Sequence, residues 1–166
     1  MIMNRIWAMP NKYTFQILPI KSLLQHYVGD GKGWIDPFAG YNSPAEFTND
    51  LNPKCPAKSH VDAIEFANNF HRLAEGVLHD PPYSLRQIKE CYDAIGAKLP
   101  FELTQTQFST VKDILTQKIK VGGYAISCGW NTNGYGKNRG FEMIEILLVP
   151  HGGHHNDTIV TVERKL

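Results

Sequence analysis

Residues Asp80-Pro81-Pro82-Tyr83 follow directly on the apolar run "GVLH" and place a carboxylate, two prolines and an aromatic ring at its end. Two prolines fix φ and remove two backbone donors, so this backbone offers rigid acceptors. Such a turn suits an enzyme edge that works on a flat, uncharged amine. A plain turn leaving a buried strand can have the same composition. Two further apolar runs also end on an acid, "GWID" on Asp36 and "AEFTND" on Asp50. Aspartate commonly ends strands, but three at one sheet edge favour a site.

These exits need elements to hold them. The runs "GWID", "AEFTND", "GVLHD" and "YAISCGW" read as strands. Helical signals lie between them. "IKSLLQHYV" is amphipathic, with a proline before it and glycines after it. Residues 59–76 carry Val61, Ile64, Phe66, Ala67 and Phe70 at helical spacing before a glycine. Ser84 is an N-cap for a helix that Gly96 ends. Residues 104–123 read as another helix with a glycine stop. "FEMIEILLVP" and "DTIVTVERK", joined by "HGGHHN", form an antiparallel hairpin. Alternating strands and helices imply an α/β fold with a mostly parallel sheet and helices on both faces. In such sheets ligands sit beyond the carboxyl ends of the strands, which are the exits at Asp36, Asp50, Asp80 and Cys128.

Composition narrows the function classes. The 166 residues, 42% apolar and 20% charged, suit one domain over 1–166 with a sizeable core. A formal charge of +1 excludes a global basic field. Three widely spaced cysteines argue against a disulfide scaffold and for a reducing compartment. No apolar run reaches the roughly 20 residues of a membrane span, and the N-terminus lacks signal-peptide features, so the expected location is cytoplasmic with no membrane partner.

"WIDPFAGYN" (34–42) resembles motif I of the amino-group DNA methyltransferases, whose Asp-Pro-Phe-x-Gly-type loop passes under S-adenosylmethionine. The resemblance implies cofactor contacts from Asp36, Pro37, Phe38, Ala39 and Gly40. Asp36 would attract the ammonium group, and Gly40 would allow close backbone approach. Tyr41-Asn42 stands where the family has a second glycine. In "TNDLNP", Asp50 would accept from the ribose hydroxyls, Leu51 would pack on adenine, and Asn49 and Asn52 could contribute. In "VDAIEF", Asp62 with Ala63 resembles the adenine-binding motif; an acid early in a helix also sits well at the dipole. "DPPY" matches the catalytic motif IV of adenine-N6 methyltransferases, implying that Asp80 and the Pro81 carbonyl accept the amine's two N–H groups while Pro82 stiffens the turn and Tyr83 stacks on the base. "WAMPNKYTFQI" resembles motif X, which carries Asn11, Thr14 and Phe15 over as cofactor contacts. Motif order X–I–II–III–IV over nearly the whole chain resembles the small stand-alone adenine-specific DNA methyltransferases of phage and prokaryotes. The implied fold is Rossmann-like with a C-terminal antiparallel hairpin, the cofactor S-adenosylmethionine, and the substrate the 6-amino group of adenine in DNA.

The glycine- and asparagine-rich stretch "CGWNTNGYGKNRGF" (128–141) reads as a mobile loop. Trp130, Lys137 and Arg139 in it, with Ser84, are the candidate substrate contacts. "HGGHHND" holds His151, His154 and His155 without the spacing of a helical zinc site, and methyl transfer needs no metal, so no metal is expected. The chain has no room for a target-recognition domain, so a homodimer is one way to enlarge its surface. An RNA adenine or guanine amine as target, and a catalytically silent cofactor- or nucleic-acid-binding regulator, are the alternatives.

Overall fold

The computed structural model describes residues 1–97 and 106–166. Its elements run β1 (Ile2–Arg5), α1 (Leu18–Val28), β2 (Trp34–Asp36), β3 (Phe47–Thr48), α2 (Ala63–Asn69), β4 (Ala74–His79), α3 (Leu85–Ala94), α4 (Thr106–Thr116), β5 (Ile119–Gly129), β6 (Phe141–Val149) and β7 (Thr158–Lys165). The strands form one sheet in the order β1-β6-β7-β5-β4-β2-β3. Only β7 is antiparallel to its neighbours, so the other six strands share one direction and their carboxyl ends share one edge.

Side chains alternate across the pleat, and both faces are covered. Leu78 and Ile126 pack with Ile20, Leu24 and Val28 of α1 on one side. Val77 and Ala125 pack with Ala67 of α2 and with Val111 and Leu115 of α4 on the other. Burial on both faces is why the parallel strands read as continuous apolar runs.

Three sequence expectations are corrected. The helix expected over 59–76 is confined to Ala63–Asn69. Ala74-Glu75-Gly76 instead opens β4, because strand pairing with β2 and β5 outweighs the local helical pattern. Gly76 is required there, since a Cβ would lie 2.6 Å from the Trp34 ring. The helix expected over 104–123 ends at Thr116, and Ile119 begins β5; Thr104 and Gln105 lie outside the described residues. Its supposed glycine stop, Gly122-Gly123, marks a register shift in the β4–β5 ladder, where Gly123 faces the Glu75 carbonyl too closely for a side chain. The N-terminal residues form an additional strand, β1, parallel to β6 at the sheet edge. Among the described residues no helix is long and apolar enough to cross a membrane. The three cysteines are free thiols.

Candidate active site at the carboxyl edge of the sheet

A cleft of about 560 Å³ opens at the carboxyl ends of β2, β3 and β4. Two acids, Asp36 and Asp50, organise its floor. Asp36, fully buried, accepts from the Phe38 amide at 2.9 Å and the Ser43 hydroxyl at 2.6 Å, which folds the Pro37–Gly40 turn back over it. Burial raises its pKa to about 7, against the lowering effect of those two bonds, and the charges of Asp80 and Asp50 add to the rise. Asp50 accepts from the Gly40 amide at 2.8 Å through one oxygen and from the Asn52 amide at 2.8 Å through the other. Gly40 adopts φ +53°, and nothing lies within 4 Å of the Cβ it lacks, so the turn is open toward the cleft.

Asn49 does more than its turn-former composition implied. Its amide donates to the Pro37 and Val61 carbonyls, and its oxygen accepts from the Val61 amide. One buried side chain thus ties the β2 exit, the β3 exit and the start of α2 together. Asp62 caps α2 through Oδ1, accepting from the Ile64 and Glu65 amides, and it also lines the cleft.

Asp80 stands at the far end, at the exit of β4. The Tyr83 hydroxyl donates to its Oδ1 at 2.5 Å, and the Thr14 hydroxyl is a further partner. Burial raises the Asp80 pKa while those two hydroxyls hold it down. Burial, reinforced by the Asp80 charge, pushes Tyr83 far above its ordinary range, so it stays a neutral donor. Its ring packs edge-on against Trp130, with centroids 5.6 Å apart. The next residue starts α3: Ser84 accepts from the Gln87 amide, and Gln87 reaches back to the Tyr83 amide at 2.6 Å. This reciprocal cap fixes the turn relative to the helix.

The cleft lining brings together Thr14, Phe15, Pro37, Phe38, Ala39, Gly40, Asp50, Leu51, Asp62, Ala63 and the four residues Asp80–Tyr83. Other expected residues lie elsewhere. Asn11 is exposed and caps the Tyr13 amide. Asp36 lies beneath the lining, and Ser84 is spent on α3. Lys137 sits in an exposed 3₁₀ turn, Lys137–Arg139. Arg139 is pinned to α4, donating to Asp113 at 2.7 Å, Ser109 at 2.8 Å and the Tyr135 carbonyl at 3.0 Å. The loop expected to be free is therefore anchored. Lys112 donates to the Asn133 and Gly134 carbonyls, and buried Glu163 accepts from the Tyr135 and Gly136 amides. His151 is buried and structural: Nδ1 pairs with the Ala8 carbonyl and Nε2 with the Thr158 hydroxyl.

Sequence reasoning missed one wall. Ile88, Cys91 and Ile95 of the α3 segment also line the cleft, with Phe108 and Val111 from α4. The spacing 88, 91, 95 is one helical stripe, and that was the available signal.

No protein-family model and no curated protein matches the chain. Solved structures do. TrmN from Thermus thermophilus superposes at a TM-score of 0.58 with 15% identity, over 93% of this chain and 50% of that one. YhhF from Escherichia coli, named as a methyltransferase, gives 0.56 and 9%, over 96% and 91%. HI0767 from Haemophilus influenzae, named as a methylase, gives 0.53 and 10%, over 95% and 92%. The chain thus spans half the length of TrmN and nearly all of the other two. The sheet is that of the Rossmann-like methyltransferase fold, mostly parallel with the antiparallel β6–β7 hairpin.

Proposed function

We propose that this chain is an S-adenosylmethionine-dependent methyltransferase, one catalytic domain over 1–166, acting on the exocyclic 6-amino group of adenine in DNA. The observation that carries the reading is a half-buried Asp80 carboxylate lining a cleft whose other walls suit a cationic nucleoside. Asp50 and Asp62 lie along the lining with Leu51 and Ala63 beside them, Asp36 lies under the turn, and Gly40 leaves its backbone open. Local negative charge in a near-neutral chain favours a cationic ligand.

When bound, the cofactor supplies the methyl group as a sulfonium electrophile. The protein's part is to prepare the amine. An aromatic amine is a poor nucleophile because its lone pair is delocalised into the ring. Asp80 and the Pro81 carbonyl accept its two N–H groups, favouring a tetrahedral nitrogen with a free lone pair. The sulfonium would give up its methyl group to the amine nitrogen, and the proton displaced there would leave past Asp80 to water. Asp80 orients the nitrogen and stabilises the charge that develops on it. Tyr83 must first release Asp80, and its ring then offers a face to the base. Because the amine inside a duplex is unreachable, the base is extruded or already single-stranded.

Nucleoside mass spectrometry after incubation of DNA or RNA with the protein and cofactor tests the reading. N6-methyldeoxyadenosine is expected. Methylated ribonucleosides or N2-methylguanine would move the substrate assignment, and cofactor binding with no product on any substrate would mark a silent regulator.

A further inference from the structure

The two edges of the sheet are treated differently. At one end β3 is two residues long, and residues 58–59 cover it: the Ser59 amide donates to the Thr48 carbonyl and the Asp50 amide to the Ser59 carbonyl. At the other end, none of the described residues pairs with the outer edge of β1. Its ladder to β6 continues beyond Arg5, with the Ile6 amide donating to the Leu148 carbonyl and the Ala8 amide to the Pro150 carbonyl. Backbone groups alternate sides along a strand. Even-numbered residues therefore face β6, and the amides and carbonyls of Met3, Arg5 and Trp7 face outward. The side chains there are apolar and exposed: Ile2, Met3, Ile6, Trp7 and Met9 are each about half exposed or more. Proteins normally shorten, charge, bulge or cover such an edge. This one is regular only over the four residues Ile2–Arg5, but its ladder runs on to Ala8, and along it the described residues supply one charge, Arg5, and no cover.

We propose that the β1 edge joins two copies of this chain by antiparallel pairing across a two-fold axis centred on Ile6. That register follows from the order of the side chains. Centring on Arg5 would set two cations opposite one another, which is unfavourable. Centring on Asn4 sets Trp7 against the first residue of the second copy, at the end of the strand, and leaves Met9 outside the contact. Centring on Ile6 sets Ile6 against Ile6 of the second copy as a close, non-hydrogen-bonded pair. It sets Arg5 beside the second copy's Trp7, a cation over an indole, and Met3 beside its Met9. Each of these pairs occurs twice by symmetry, and the outward amides and carbonyls gain partners. The same segment runs on into Lys12–Phe15, which line the cleft, so pairing brings two clefts into one assembly. The inference stands apart from the proposed reaction.

Analytical ultracentrifugation of the full chain from 1 to 100 µM tests it. The expected species has twice the 18.7 kDa of one chain. Ile6→Lys, which sets two ammonium groups together, is expected to give a monomer with an unchanged circular dichroism spectrum. Arg5→Pro removes an outward amide while sparing the β6 ladder, and should weaken the dimer likewise. Ile6→Cys in a Cys91→Ser background tests the register. With oxidised glutathione the two introduced thiols, one from each copy, should form one interchain disulfide, releasing two reduced glutathiones, while Asn4→Cys should not. A monomeric wild type at 100 µM, an open-ended series of larger species, a dimer that survives Ile6→Lys, or cross-linking through Asn4→Cys as readily as Ile6→Cys would overturn the proposal. So would a monomer that pairs only with a different protein or with nucleic acid.

Discussion

On the proposed reading, Asp80 and Tyr83 form a pair that the substrate has to part. The Tyr83 hydroxyl occupies the carboxylate oxygen that an amine would need, and it helps hold the Asp80 pKa down. Tyr83→Phe keeps the ring and removes the donor. Asp80 then titrates at higher pH, so the acidic limb of the pH–rate profile is expected to move upward while the plateau rate changes only a few-fold. An unmoved limb would show that Asp80 does not set it. Asp36 gives a second pH signature. Its pKa rises from 3.8 to about 7 on folding, so the folded chain binds the proton more tightly than the unfolded chain does. Its contribution to stability therefore declines as pH rises from about 4 to 7. A cationic cofactor favours the ionised form, so cofactor affinity is expected to increase between pH 6 and pH 8 with proton release. Calorimetry in buffers of different ionisation enthalpy would report it, and Asp36→Asn should abolish it.

At the scale of elements, α4 and the loop after β5 behave as one piece. Buried Glu163 on β7 holds two loop amides, and Lys112 and Arg139 hold the loop to α4. Burial, with the nearby Arg139 charge, lowers Lys112 to about 8, while the Glu163 charge works the other way. Glu163→Ala strands two amides, and a loss of roughly 2–5 kcal/mol is expected in urea unfolding. A loss below about 1 kcal/mol would mean that the loop is held by other contacts. The Tyr135 hydroxyl is buried without a hydrogen-bond partner among the described residues, so Tyr135→Phe should leave the urea midpoint unchanged or raise it. Legibility was uneven at this scale. The exits at Asp36, Asp50 and Asp80 could be read because proline and glycine chemistry marks them locally. The anchoring of Arg139 could not, because Asp113 and Ser109 reach it only after the sheet closes. Gly122-Gly123 was misread as a helix stop because a bulge and a C-cap draw on the same residue. β1 escaped notice because a four-residue edge strand has too few positions to display a period.

As a whole, the molecule pairs a sheet that places every acidic exit on one edge with a surface of almost no net charge. Among the described residues the cleft lining contains Asp50, Asp62, Asp80 and Glu90 but a single cation, Lys12. A protein built this way makes few phosphate contacts, so log K against log salt for single-stranded DNA is expected to have a slope between about −1 and −3. A steeper slope would require a basic surface outside the cleft. The central claim is that Asp80 presents an adenine amine for methylation. The most direct measurement is nucleoside mass spectrometry of DNA incubated with cofactor and either wild-type protein or Asp80→Ala, alongside calorimetry of cofactor binding to both. The account predicts N6-methyldeoxyadenosine from the wild type, a fall of at least about 10²-fold in the variant, and equal cofactor affinity in the two. Undiminished product from Asp80→Ala, or a methyl group found on a nucleoside without an exocyclic amine, would contradict it.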